Sequence, residues 1–188
     1  LEQARRRNVH DALCEDIGRQ DWTAMLVPAG QRVRARVLAR ERAVLAGREW
    51  FEDCVHALDP AARIEWKVRE GQWMEADQDV CLIESDARAL LSAERPALNF
   101  IQLLSHTATL TRQHVQAIEG ASPNPRGCAV LDTRKTIPGL RFLEKYATRQ
   151  GGAQNHRMGL WDAAMIKDNH VLVAGGVGPA VARAKAAD

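Results

Sequence analysis

Three short polar clusters stand between Asp132 and His170: Asp132-Thr133-Arg134-Lys135-Thr136, Asn155-His156-Arg157 and Lys167-Asp168-Asn169-His170. Across that span seven cationic side chains (Arg134, Lys135, Arg141, Lys145, Arg149, Arg157 and Lys167) and two histidines stand against four acids. The chemistry on offer is anion binding. A guanidinium presents a planar fork that matches a carboxylate or phosphate, and an ammonium adds a mobile point charge. Nucleophilic catalysis has no support, since there is no G-x-S-x-G and no cysteine falls in a cluster. There is no Walker loop either, and Gly175-Gly176-Val177-Gly178 lacks the strand and spacing of a dinucleotide site. Taken singly, each cluster reads better as solvated surface or strand rim than as a site. Together they predict a cation-lined pocket.

Two of the clusters directly follow apolar runs of strand type, 128–131 and 163–166, so their cations are expected at strand ends, where parallel α/β folds bind ligands. Helices are expected over 139–150, closed by Gly151, and after Pro179, with a loop over 171–176 and another through Ser122-Pro123-Asn124-Pro125. The first ninety or so residues carry a different pattern. A short helix over 9–16 stops at Gly18, period-two alternation predicts strands at 33–37 and 64–68, and a third strand is expected at 80–83. Trp50, Phe51, Cys54, Val55 and Leu58 recur at helical spacing between the first two strands. From 86 to 118 the pattern is helical, and Pro96 predicts a kink or a restart. This is an α/β chain: an N-terminal α+β domain over 1–105, then alternating strand and helix over 106–188.

The chain has 188 residues, 46% hydrophobic and 27% charged, with a net charge of +2 from 26 basic and 24 acidic side chains. So near a balance argues against nucleic acid as a partner and makes any anion binding local. No run approaches the roughly 18 apolar residues of a membrane helix, and the expected location is cytoplasmic. The four cysteines form no C-x-x-C pair and read as free thiols. The last residues read as a helix without a stop signal, so the chain is expected to be a fragment.

The motifs as a set, Leu131-Asp132-Thr133-Arg134-Lys135-Thr136, Pro138-Gly139-Leu140-Arg141, Glu144-Lys145-Tyr146-Ala147, Gly151-Gly152, Asn155-His156-Arg157-Met158-Gly159-Leu160 and Ile166-Lys167-Asp168-Asn169-His170, resemble the quinolinate phosphoribosyltransferase family. Glu15-Asp16-Ile17-Gly18, Asp21, Thr23, Ala46-Gly47 and Glu94-Arg95 agree with it. The resemblance implies an open-faced α+β sandwich followed by the first part of an incomplete α/β barrel. It implies transfer of phosphoribose from phosphoribosyl pyrophosphate to quinolinate with decarboxylation, giving nicotinate mononucleotide in NAD synthesis, with Mg2+. By the same resemblance Arg95, Thr133, Arg134, Lys135, His156, Arg157 and Lys167 are the expected substrate-binding residues. Lys135 and Lys167 are the expected catalytic pair, with no protein ligand to a metal. Arg95 would reach the site of a second copy in a homodimer, or within a hexamer, although Pro96 stands beside it where the family has Thr. Acidic residues and phosphate loops of later barrel strands are expected to be missing, leaving the 188 residues inactive on their own. Rival readings are the related pyrophosphorylase-like protein found with molybdenum transport genes, nicotinate phosphoribosyltransferase, and a catalytically dead anion-binding module.

Overall fold

A computed structural model describes residues 1–124 and 127–187. They divide into two compact units, Leu1–Asn155 and His156–Asp188.

The alternating segments of the first unit form an antiparallel sheet. Strand β1 (Arg32–Leu38) turns Val33, Ala35 and Val37 inward and leaves Arg32, Arg34 and Arg36 exposed, as period two requires. A two-residue strand β2 (Ala43–Val44) follows, then helix α2 (Arg48–Leu58), strand β3 (Arg63–Trp66), the short β4 (Trp73–Met74), and β5 (Asp79–Asp86). The three longer strands pair in the order β1-β5-β3, and β2 pairs with β4. On central β5 the side chains of Cys81, Ile83 and Ser85 are buried, while Leu82 and Glu84 face outward. The inner face is covered by Trp50, Phe51, Cys54 and Val55 of α2 and by the long helix α3 (Ala87–Ala117). Burial pushes the thiols of Cys54 and Cys81 up to about 12, which keeps both protonated and unreactive.

Helix α3 is 31 residues long, about 46 Å at 1.5 Å per residue. The Asp86 carboxylate accepts from the Ala89 amide at 3.1 Å and caps its start. The helix runs unbroken through Pro96, where the sequence predicts a kink or restart, and through the predicted domain boundary at 105/106. Proline in a helix interior costs about 3 kcal/mol. Here Pro96 is itself buried, on a helix that also buries Ala93, Ala97, Phe100, Ile101 and Leu104, and that burial offsets the cost. The helix also satisfies backbone groups beside β2. Thr109 Oγ1 accepts from Val44 N at 2.8 Å and Ser105 Oγ from Ala46 N at 3.0 Å, so these buried amides are paired.

The first helix, α1 (Glu2–Ile17), begins seven residues before the predicted 9–16 segment. Its polar early turns are held by partners distant in sequence: Arg5 bonds Asp53 at 2.7 Å and also pairs with Glu49, both on α2. Beyond α3 the unit has one further helix, α4 (Arg141–Gln150).

Two predicted strands are absent. Over 128–131 there is only an isolated parallel bridge, Leu131 to Gln154, and 163–166 forms no regular element. An apolar run supplies a strand's side chains, but its backbone needs partner strands, and among the described residues one bridge is all that 128–131 has. The predicted loop through Pro125 lies partly outside the described residues.

In the second unit, helices α5 (Asp168–Ala174) and α6 (Val177–Ala186) pack on each other. The first replaces the loop predicted at 171–176. His170 Nδ1 accepts from Lys167 N at 3.0 Å at its start, and Gly175, at φ 84°, supplies the left-handed turn that ends it. The Gly-Gly pair that reads as a loop is therefore a helix stop.

One buried acid ties the sheet to the α2–β3 turn. Asp59 accepts from the Asp86 amide and the Ser85 hydroxyl, each at 2.8 Å, from the Ala61 amide at 3.0 Å and from Arg32 at 2.8 Å. The Asp86 amide first, then the other donors, hold its carboxyl at about 2, below the ordinary 3.8. A depressed carboxyl contributes stability above its unfolded value and loses it as pH falls through the folded one. Acid titration of stability should therefore show a loss between about pH 4 and about pH 2 that Asp59→Asn flattens; an identical acid limb in the variant would count against this role.

Candidate functional site

The first cluster is fixed by backbone on both sides of Asp132. Gln154 N donates to Val130 O at 2.9 Å and Asp132 N to Gln154 O at 3.2 Å, the start of a parallel pairing. The chain then turns. Thr133 Oγ1 accepts from Lys135 N at 3.0 Å, Ile137 N donates to Glu144 Oε2 at 3.2 Å, and Arg141 Nε donates to Thr136 Oγ1 at 3.2 Å. Segment 133–137 is thus pinned to the first turn of α4. Lys135 stands exposed with no ion pair among the described residues, and Arg134 is half-buried. The Nε of Arg134 is out of water and lacks a hydrogen-bond partner among the described residues. A buried guanidinium nitrogen left unbonded is costly. A bound anion would satisfy it.

Helix α4 is held close to α3. Arg112 on α3 donates from Nε to Gly151 O and from Nη2 to Gln150 O, each at 2.9 Å, capping carbonyls that the end of α4 leaves open, and from Nη2 also to Gly71 O in the β3–β4 turn at 3.2 Å. At the other side of α4 the ring of Tyr146 lies 5.0 Å from that of Trp50, and its hydroxyl donates to Glu70 at 2.7 Å. Burial first, and the neighbouring Glu70 second, raise the Tyr146 phenol well above its ordinary range, so it stays a donor. Glu70 also accepts from the amides of Gly47 at 2.6 Å and Arg48 at 3.2 Å, at the start of α2.

In the second unit His156 is exposed and Arg157 half-buried, with Nη1 donating to Ala163 O at 3.1 Å. Asp162 accepts from the amides of Met158 at 2.7 Å and Gly159 at 3.1 Å and folds the segment after Arg157 into a turn. Lys167 is exposed at the start of α5. Arg157, His170 and Arg183 share the lining of a cleft of about 300 Å³ with apolar residues of 164–166 and α6. Arg183 was not singled out by the sequence, because a lone arginine in a terminal helix carries no spacing signal.

Of the predicted binding residues, then, Thr133, Arg134 and Lys135 share one turn of the first unit, and His156, Arg157 and Lys167 belong to the second. Arg95 lies apart, exposed on α3, with no hydrogen bond or ion pair among the described residues. Lys145 is a correction: counted among the pocket cations, it is 1% exposed and bonded to Asp132. Its charge is answered by Asp132 inside the protein and is turned away from solvent. A second cleft, about 640 Å³ between β1 and α3, is mostly apolar and holds none of these residues. No group of three or more His, Cys, Asp or Glu among the described residues is placed to hold a metal ion, and no described helix is long and apolar enough to cross a membrane.

Two family models match the chain in succession: quinolinate phosphoribosyl transferase, N-terminal domain, over residues 21–105, and the C-terminal domain of the same family over residues 107–188. A probable nicotinate-nucleotide pyrophosphorylase [carboxylating] of Synechocystis is 45% identical over 90% of this chain and 56% of its own length. The nicotinate-nucleotide pyrophosphorylase [carboxylating] of Mycobacterium leprae is 40% identical over 98% of this chain and 64% of its own. The solved structure of the nicotinate-nucleotide pyrophosphorylase from Francisella tularensis superposes with a TM-score of 0.93 at 39% identity, covering all of this chain and 65% of that one. The chain thus spans between 56% and 65% of the length of these relatives.

The α3–α4 approach depends on Gly151. A methyl group there would lie 2.5 Å from Thr111 Cβ and 2.6 Å from the Ala108 carbonyl oxygen. Gly151→Ala should lower stability by about 1–3 kcal/mol in urea titration, since neither backbone nor a packed Cβ can give way cheaply.

Proposed function

Because the chain belongs to the quinolinate phosphoribosyl transferase family, we propose that it supplies the quinolinate-binding residues of an enzyme that transfers phosphoribose from phosphoribosyl pyrophosphate to quinolinate. Nicotinate mononucleotide, pyrophosphate and carbon dioxide are the products, a step of NAD synthesis, and the setting is cytoplasmic. The observation that carries this reading is the half-buried Arg134, its Nε unbonded, next to exposed Lys135. Quinolinate brings two carboxylates and the donor brings phosphates, so a local cationic site in a chain of net charge +2 suits both.

In the proposed reaction the pyridine nitrogen forms a bond to the anomeric carbon as the carbon–oxygen bond to pyrophosphate breaks. When the adjacent carboxylate leaves as carbon dioxide, the electron pair of the broken bond stays on the ring carbon, where the neighbouring cationic nitrogen stabilises it until that carbon takes up a proton. No protein nucleophile is required. As the family resemblance implies, Arg134 and Arg157 are assigned to the carboxylates, Thr133 to substrate binding, His156 to orienting the ring, and Lys135 and Lys167 to the catalytic cations that answer substrate and donor charge. In a homodimer, Arg95 of a second copy completes this set; its exposure on α3 without partners leaves it available. The described residues offer no cluster of acids for a resident metal. Magnesium is expected to accompany the diphosphate donor, as the family resemblance implies, and no step is routed through it.

Calorimetric titration of quinolinate into the full-length protein tests this. The parent should bind, and Lys135→Ala and Arg157→Ala should each weaken binding at least about tenfold, the cost of losing one charge-assisted hydrogen bond. Absence of binding by a folded parent would overturn the assignment.

A further inference from the structure

Asp132 opens the cluster that carries Arg134 and Lys135, yet its own carboxylate is turned inward and only 4% exposed. Two side chains donate to it: Lys145, in the middle of α4, gives its ammonium to Oδ1, and Asn155 gives its amide to Oδ2 at 2.5 Å. Thr148 lies beside them, its hydroxyl 3.4 Å from Oδ2 and donating to the Lys145 carbonyl at 2.8 Å. The Asn155 amide donates its other hydrogen to the Lys145 carbonyl at 2.9 Å. Lys145 and Thr148 are three residues apart on α4, so one face of the helix presents both. The backbone bonds between Asp132, Val130 and Gln154 clamp the same point from the other side.

As a source of stability this arrangement is poor. Removing two charges from water offsets most of their attraction, and an apolar pair of similar volume would serve as well. What a hydrogen-bonded carboxylate supplies, and an apolar pair does not, is direction: each bond fixes an angle as well as a distance. The segment it directs is 133–135, whose remaining ties are the Thr133 hydroxyl and the first turn of α4.

We infer that Asp132, Lys145 and Asn155 are positioning residues that hold the 133–135 backbone so that Arg134 and Lys135 keep their aim at the bound anion. None of the three touches substrate. The inference rests on the proposed quinolinate reaction, and it names the interactions that preorganise that site before any ligand arrives.

The test uses the full-length enzyme with Asp132→Asn, Lys145→Met, the double variant Asp132→Asn/Lys145→Met, and Asn155→Ser. Each single charge variant leaves an uncompensated buried charge and should melt well below the parent. The double variant removes both charges together and should recover much of that loss. Asn155→Ser keeps the ion pair and covers the case in which the double variant fails to fold. In both, KM for quinolinate should rise about 10- to 100-fold, the cost of misplacing binding groups by about an ångström. Hydrogen exchange at the amides of Lys135 and Ile137 should accelerate even without ligand. Parental KM together with parental exchange in these variants would show a purely structural pair and overturn the inference. If the parent itself fails to bind quinolinate, the proposed reaction falls and exchange alone decides: faster exchange sustains the positioning role, and unchanged exchange removes it.

Discussion

The packing of α4 against α3 is the constraint from which the geometry of the first unit's cationic turn follows. At Gly151 the two helices come closer than any side chain would allow, and Arg112 converts that proximity into hydrogen bonds to two carbonyls at the end of α4 and one in the β3–β4 turn. Tyr146 repeats the attachment on the other side of α4 through Trp50 and Glu70. With α4 so placed, Lys145 and Thr148 are presented to Asp132, and the chain that returns through Gln154 meets 130–132 in parallel. The turn from Thr133 to Ile137 inherits its position from these contacts.

Charges inside this unit are used in two distinct ways. Asp59 is surrounded by donors that belong to one corner of the sheet, and its ionised form is favoured there. Asp132 faces a formal positive charge, and neither member of that pair could remain buried without the other. Arg134 differs from both. Its Nε is as dry as they are but has no acceptor among the described residues, which is the condition of a group waiting for one.

Much of the N-terminal sheet domain could be read directly because its signals are local. Alternation of arginine with apolar residues marked β1 within a residue of its observed ends, and the Trp50–Leu58 spacing marked α2. The two-residue strands β2 and β4, and the early turns of α1, exist through partners far along the chain, and no window of sequence contains them. The same holds for 128–131 and 163–166 in the opposite direction, where strand-like composition met too few ladder partners. At the candidate site, residue types were legible and their states were not. Lys145 and Lys135 are both cations near one motif, yet one is sealed against an aspartate and the other stands in water. Only the contact of α4 with Asp132, thirteen positions away in sequence, tells them apart.

The arginines of β1 bear on how copies of this chain behave when crowded. In the order β1-β5-β3, β1 is an edge strand, and such an edge is a template for another strand. Arg32, Arg34 and Arg36 all point to one face, where Arg34 pairs with Glu84 and Arg36 with Asp79 of β5, each at 3.6 Å. Antiparallel pairing of two β1 edges in register would bring guanidinium opposite guanidinium at each of these positions, which is unfavourable for like charges directly opposed. The residues that mark the strand by alternation therefore also disfavour edge-to-edge pairing of two folded copies.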